Sequence, residues 1–210
     1  MKSLKLGITG GIGSGKSGVS ELLRITGIPV YDCDHEARRL MDTSPTLREA
    51  LIALAGPETY TNSSTHDSQP STLNRRHLAD FMFGYPERVM AVNALVHPAV
   101  REDFRTWAEQ QEGADIVGVE SAILLEAGMR EDVDAVVLVL TPFEERLQRA
   151  MARDGVSETS VRARLASQKP DIEKIPFVDY IIHNAESEAI TPQVMEMLKE
   201  LRWKIRQPIN

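Results

Sequence analysis

The sequence predicts a three-layer α/β fold with a parallel sheet, on three observations. A glycine-rich loop follows directly on an apolar run, further short apolar runs recur along the chain, and helical patterns separate them. The first run, residues 4–9, reads as a buried strand. After it, Gly10-Gly11-Ile12-Gly13-Ser14-Gly15-Lys16-Ser17 fits the pattern G-x-x-x-x-G-K-[ST] of a phosphate-binding loop. Glycines let the backbone turn its N–H groups inward around phosphates, Lys16 supplies a point charge, and Ser17 offers a hydroxyl to Mg²⁺. Chance alone produces this pattern in about one chain in a hundred of this length, and the strand before it and the helix after it lower that figure.

The remaining elements follow in order. Residues 19–24 open the first helix, 28–31 form the second strand, and 35–41 open the second helix. Residues 78–83 and 91–107 read as helices before the third strand at 116–120. The fourth strand is 135–140, a helix follows over 142–153, and the fifth strand is 180–183. The chain closes with a helix over 192–206, where Val194, Met197, Leu198, Leu201 and Ile205 share one face and Pro192 suits the helix start. Five strands with helical connections give a five-stranded parallel sheet.

Two segments interrupt this alternation. Residues 56–72 are polar, poor in aliphatics and bounded by prolines, and read as a loop. Residues 146–174 are crowded with Arg146, Arg149, Arg153, Arg162 and Arg164, and Asp154-Gly155-Val156-Ser157 breaks them into two helices with a hinge-like turn, the architecture of a mobile lid.

Composition bounds the function. At 210 residues the chain suits a single domain, 1–210, with inserted segments. The net charge of −7 disfavours nucleic acid or a membrane surface as partner, so any phosphate binding must be local. Cys33 is the only cysteine, which excludes an intramolecular disulfide and a cysteine zinc cluster and fits a reducing compartment. No apolar run approaches ~18 residues, and Met1-Lys2-Ser3 leads straight into the first strand with no room for a signal peptide. The expectation is a cytoplasmic protein.

At the end of the second strand, Val30-Tyr31-Asp32-Cys33-Asp34 places two carboxylates where ligands bind in open α/β sheets. A kinase needs a carboxylate near its acceptor hydroxyl, as base or to orient it. One of the pair is also expected to cap the helix that follows.

These residues carry a resemblance. Thr9 to Ser17, then Val30 to Asp34 with Ala37-Arg38, resemble dephospho-CoA kinase, the family that phosphorylates the ribose 3′-hydroxyl of dephospho-coenzyme A in the last step of coenzyme A synthesis. Leu73-Asn74-Arg75-Arg76-His77-Leu78 resembles the family's Leu-Asp-Arg-x-x-Leu stretch, and Asn93-Ala94-Leu95-Val96-His97-Pro98 its Leu-Asn-x-[IL]-x-His-Pro element. Glu120-Ser121-Ala122-Ile123-Leu124-Leu125-Glu126 stands where the family has Asp-x-Pro-Leu-Leu-Phe-Glu. Arg149, Arg153-Asp154-Gly155 and the stretch from Arg164 to Gln168 resemble its lid, and Asp179 to Asn184 its last strand. The departures are Gly18 for Thr or Ser, Asn74 for an acidic residue, Glu120 for aspartate and Ala122 for proline.

The resemblance implies a P-loop kinase fold with a helical acceptor-substrate insertion over 35–110 and a lid over 142–173. It implies that Gly11, Ile12, Gly13, Ser14, Gly15, Lys16 and Ser17 hold ATP, with Arg149 beside them, and that Ser17 and Glu120 serve Mg²⁺. Asp34 would be the base or hydroxyl-orienting group, with Asp32 beside it, and Arg153 would reach over the transferred phosphoryl. Arg146 is more readily read as part of a solvated helix face.

Other candidates keep two readings. His97 either ends a helix, since Pro98 biases it away from the helical region, or serves the substrate side as the resemblance implies. Arg75 and Arg76 either meet the pyrophosphate of dephospho-CoA or form solvated pairs, and Glu126 is a substrate-binding or a structural carboxylate. His35, His66, His77 and His183 have no metal-ligand spacing. Competing functions are weaker. Gln168-Lys169-Pro170-Asp171 only approximates the guanine-reading Asn-Lys-x-Asp pattern, and no basic patch interleaved with aromatics points to nucleic acid. The expected partners are therefore dephospho-CoA and ATP, with the chain a monomer or small homo-oligomer.

Overall fold

A computed structural model describes residues 3–61, 72–166 and 168–207. In chain order, strand β1 (Leu4–Thr9) leads through the glycine-rich loop to helix α1 (Lys16–Ile25), strand β2 (Val30–Asp32) and helices α2 (Cys33–Thr43) and α3 (Pro45–Ala55). The short strands β3 (Tyr60–Thr61) and β4 (Thr72–Leu73) precede helices α4 (Arg75–Met82) and α5 (Pro86–Glu109). Strands β5 (Ile116–Glu120) and β6 (Ala135–Leu140) lead to helices α6 (Phe143–Asp154), α7 (Glu158–Ala166) and α8 (Asp171–Lys174). Strand β7 (Tyr180–His183) and helix α9 (Ile190–Arg206) complete the chain.

The chain divides into two compact units, residues 1–32 with 105–210, and residues 33–104. The first holds a five-stranded, all-parallel sheet in the order β2-β5-β1-β6-β7. Successive side chains of a strand face opposite ways, so the apolar strands bury both faces. Leu6 and Ile8 of β1, Val137 and Val139 of β6 and Ile182 of β7 pack with Val19 and Leu23 of α1 and Val194, Leu198 and Leu201 of α9. Each such side chain, fully buried, stabilises the fold by ~1.5–3 kcal/mol. On the other side Tyr31 tilts against Trp107 with ring centroids 5.4 Å apart. Gly7 there leaves room for the Leu124 side chain, which would lie 2.8 Å from a Cβ at that position. Because β1 lies centrally and its two neighbours are later strands, its carboxyl end is the crevice where this class of sheet binds ligands.

The second strand starts two residues later than expected. Pro29 has no N–H to give a ladder, so Ile28 and Pro29 approach the sheet without pairing as a strand, although the Pro29 carbonyl accepts from the Gly118 N–H at 2.8 Å. The shift brings Asp32 into the strand as the register partner of Glu120.

In the second unit, α3 was not anticipated, yet its signals are plain. Ser44 caps it by accepting from the Leu47 N–H at 3.3 Å, Pro45 opens it, and Leu47, Leu51 and Ala55 form its buried stripe. The expectation that His97 ends a helix is overturned: His97 and Pro98 both lie inside α5. Val92, Val96, Val100 and Phe104 are buried at helical spacing on both sides of the proline, and this continuous apolar stripe carries the helix through the missing N–H. Of the polar segment 56–72, a short 3₁₀ turn and the antiparallel pairing of β3 with β4 frame its ends, while residues 62–71 lie outside the described residues.

Candidate active site

The loop from Gly10 to Ser17 connects β1 to α1, so the N-terminus of that helix, the positive end of its dipole, faces the loop. Gly13 and Gly15 have φ of 78° and 86°, in the left-handed region that glycine enters without penalty. Lys16 Nζ donates to the Gly11 carbonyl at 3.2 Å, which folds the side chain back over the loop. The Ser14 carbonyl accepts from Thr141 Oγ1 and from Asn184 Nδ2, each at 2.8 Å. Thr141 follows β6 and Asn184 follows β7, so two further strand ends brace the loop from beneath. A Cβ on Gly15 would stand 2.1 Å from Asn184 Nδ2, a second reason for glycine there.

Beside the loop, Ser17 Oγ donates to Glu120 Oε1 at 3.2 Å. Glu120 ends β5 and pairs in register with Asp32 at the end of β2, so both carboxylates stand at the same edge of the sheet. A hydroxyl and carboxylates are hard oxygen donors that suit Mg²⁺, an ion that takes one or two protein ligands and leaves its other positions to phosphates and water.

The arginines divide by their partners. Arg149 donates to Glu145 Oε2 at 3.0 Å, and its Nη1 stands 3.8 Å from where a Cβ on Gly15 would be, which puts it against the loop. Arg153 is 60% exposed and bonds Asp154 at 2.7 Å, and Arg164 bonds the same carboxylate at 2.6 Å. These two guanidinium groups hold the Asp154 carboxyl well below the usual carboxylate range. Arg146 is not on a solvated face. It is only 9% exposed, its Nε donates to the Ile12 carbonyl at 3.0 Å and its Nη1 to Asp171 Oδ2 at 2.6 Å.

In the second unit, Asp34 lies in the first turn of α2, where a carboxylate favours the positive end of the helix dipole. Arg75 pairs with Asp42 at 2.9 Å, and Asn74 caps α4 by accepting from the His77 N–H at 3.1 Å, so the departure from an acidic residue keeps the cap. Arg76 is exposed, 3.9 Å from Asp80. His97 is half-buried, and burial pushes its imidazole below its ordinary pKa of 6.5.

A family model described as dephospho-CoA kinase matches residues 4–189. The chain belongs to the dephospho-CoA kinase family. A protein of Bacteroides fragilis named dephospho-CoA kinase is 39% identical over 203 residues, which cover 97% of this chain and 95% of that one. Among solved structures, TT1252 from Thermus thermophilus is 34% identical with a TM-score of 0.79, covering 99% of this chain and 100% of that one. The dephospho-CoA kinase from Campylobacter jejuni, at 24% identity and a TM-score of 0.65 over 95% of this chain and 98% of that one, shares the fold.

As a member of the dephospho-CoA kinase family the chain is an ATP-dependent kinase, and ATP is its co-substrate. The first unit gathers Gly11 to Ser17, Glu120, Asp32 and Arg149, whereas Asp34, Arg75 and His97 belong to the second. Glu126 is held elsewhere in the first unit, by a fully buried Lys174 whose Nζ is 3.2 Å from its Oε1. Thr141, Gln168, Asp171 and Lys174 had not been singled out as site residues for this kinase. The first is a lone hydroxyl after a strand, and the others lie within the arginine-rich stretch 146–174, with no spacing that marks their partners.

Proposed function

We propose that the chain transfers the γ-phosphoryl group of ATP to the ribose 3′-hydroxyl of dephospho-CoA, giving coenzyme A and ADP. The observation that carries this reading is the Ser17–Glu120 contact beside the phosphate loop, with Asp32 in register next to it. That arrangement provides a phosphate cradle and a divalent-ion edge, and Asp34 follows two residues after Asp32.

Phosphoryl transfer demands positioning and charge stabilisation more than covalent help from the protein. The loop from Gly11 to Ser17 holds the phosphates of ATP through its backbone N–H groups other than that of Ile12, which Gln168 takes, and Lys16, released from the Gly11 carbonyl, supplies positive charge to the terminal ones. Ser17 and Glu120 would hold Mg²⁺, which when bound would offset the negative charge that builds on the phosphate oxygens. The Asp34 carboxylate accepts the proton of the 3′-hydroxyl as that oxygen attacks the γ-phosphorus, with Asp32 orienting the acceptor. Arg149, beside the loop, and Arg153, once freed from Asp154, complement the equatorial oxygens with their planar donors. Segment 142–173 acts as the lid: it stays anchored to the phosphate loop at Arg146 and Gln168, and the part between them brings Arg153 in. Arg75 and His97 contact dephospho-CoA, while Glu126, committed to Lys174, supports the site from behind rather than touching the acceptor.

We assign the protein to the cytoplasm, as a monomer or small homo-oligomer with no nucleic-acid or membrane partner. The acidic balance and single cysteine support this, and among the described residues no helix is long and apolar enough to cross a membrane. The deciding experiment incubates the purified chain with Mg-ATP and dephospho-CoA. One added phosphoryl group at the 3′ position, found by mass analysis and phosphorus NMR, is expected. ATP turnover indifferent to dephospho-CoA, or modification at the 2′ position, would overturn the assignment.

A further inference from the structure

Ile12, inside the phosphate loop, has both of its backbone polar groups occupied by residues of the arginine-rich segment. Its N–H donates to Gln168 Oε1 at 2.9 Å and its carbonyl accepts from Arg146 Nε at 3.0 Å. Its side chain packs against the small apolar cluster of Leu147, Ala150, Val161 and Leu165 from α6 and α7. We infer that Arg146 and Gln168 are positioning residues for ATP, clamping Ile12 so that the phosphate loop holds one shape before the nucleotide arrives.

Two further sets of observations support the clamp. The first is the close fit of Arg146 to the loop glycines. A Cβ on Gly11 would stand 1.7 Å from Arg146 Nη2, and one on Gly13 would stand 2.3 Å from the Arg146 backbone carbonyl. Gly11 has no left-handed backbone to explain it. Glycine there makes room for the guanidinium. The second is the anchor behind the clamp. Asp171 takes Arg146 Nη1 at 2.6 Å and lies 3.8 Å from Lys174 Nζ, which is fully buried. Lys174 in turn donates to the Ala122 carbonyl at 3.3 Å and pairs with Glu126 at 3.2 Å, on the segment that follows Glu120. Asp171 stands between the buried Arg146 guanidinium and the buried Lys174 ammonium, so the series Arg146, Asp171, Lys174, Glu126 alternates in charge and removing one member leaves a neighbouring buried charge unpaired. A planar guanidinium is required at its head, because one side chain must serve a carbonyl and a carboxylate at once.

The inference rests on the kinase reading above, and the test separates the two. Affinity for a non-hydrolysable ATP analogue, KM for dephospho-CoA, melting temperature and hydrogen exchange at the Ile12 amide are measured for the wild type, Gln168→Ala, Arg146→Lys and, as control, Arg202→Ala. Arg202 pairs with Asp115 and has no place in the site. Losing one neutral hydrogen bond to the loop should weaken the analogue about 2- to 12-fold in Gln168→Ala, and losing a charged one about 10-fold or more in Arg146→Lys. Lysine there keeps a charge beside Asp171 but cannot also reach the Ile12 carbonyl. The Ile12 amide should exchange faster in Gln168→Ala, with KM for dephospho-CoA and the control unchanged. Analogue affinity equal to wild type in both folded variants would overturn the clamp. So would equal losses toward ATP and dephospho-CoA, which mark a general structural role. A wild type that binds the analogue without phosphorylating dephospho-CoA would instead sink the kinase assignment, and the affinity comparison would still judge the clamp.

Discussion

Ser17 and Glu120 stand 103 positions apart in the chain, yet the hydroxyl of one donates to the carboxylate of the other at 3.2 Å. The contact follows from the sheet: β1 and β5 are direct neighbours in parallel register, with Ile8 opposite Glu120. The loop leaving β1 therefore returns its Ser17 to the end of β5. Glu120→Gln keeps the hydrogen bond and removes the charge, and it should raise the Mg²⁺ concentration for half-maximal activity by on the order of tenfold or more. A magnesium titration at saturating ATP and dephospho-CoA checks this, and an unchanged midpoint would remove Glu120 from the metal site.

The paired aspartates are separable. Asp34→Asn preserves shape but not the carboxylate, so single-turnover phosphoryl transfer should fall ~10²–10⁴-fold with little change in dephospho-CoA affinity. Asp32→Asn, at the end of β2 beside Glu120, should act mainly on metal or substrate requirement. If Asp32→Asn abolishes the chemical step and Asp34→Asn leaves it near normal, the two roles are reversed.

His97 gives a pH signature. Burial lowers its pKa from 6.5, so the folded protein binds this proton less readily than the unfolded chain does. The associated stability is complete above the unfolded value and is lost as pH falls through 6.5 toward the lower folded value. Proton NMR should find a His97 midpoint below 6.5, and His97→Gln should flatten the acid side of a stability-against-pH curve measured by denaturant unfolding. A midpoint at or above 6.5 would contradict the burial argument.

Gly18 is a correctable weakness. It is exposed in α1, has no left-handed backbone, and a Cβ there would meet only Ile190 Cδ1 at an ordinary 3.5 Å. Gly18→Ala should stabilise the protein by ~0.5–1 kcal/mol through helix propensity and a less flexible unfolded chain. Thermal unfolding without nucleotide measures it, and a lower melting temperature would show a role for glycine that local geometry does not.

Much of the fold was legible because its signals are local. Four of the five sheet strands have their expected bounds, since each is an apolar run closed by a change in composition. The helix α3 was missed although Ser44, Pro45 and the Leu47–Leu51–Ala55 stripe announce it. At Pro98 a local rule misled: buried valines on both sides outweighed the conformational bias of one proline. For the site, the glycine-rich motif named its own residues, whereas Arg146, which alone reads as one more charge on a helix, is among the least exposed polar side chains.

By itself the sequence determined the parallel α/β class, the phosphate loop and the carboxylate pair at the end of the second strand, because residue spacing within a few positions dictates each. Only the tertiary structure decided that Asn184 braces Ser14 across 170 positions, and that Gln168 and Arg146 hold Ile12 across 156 and 134. The physical reason is that a buried polar group must find a partner, and which partner is within reach is set by the order of strands in the sheet and the packing of helices on the loop.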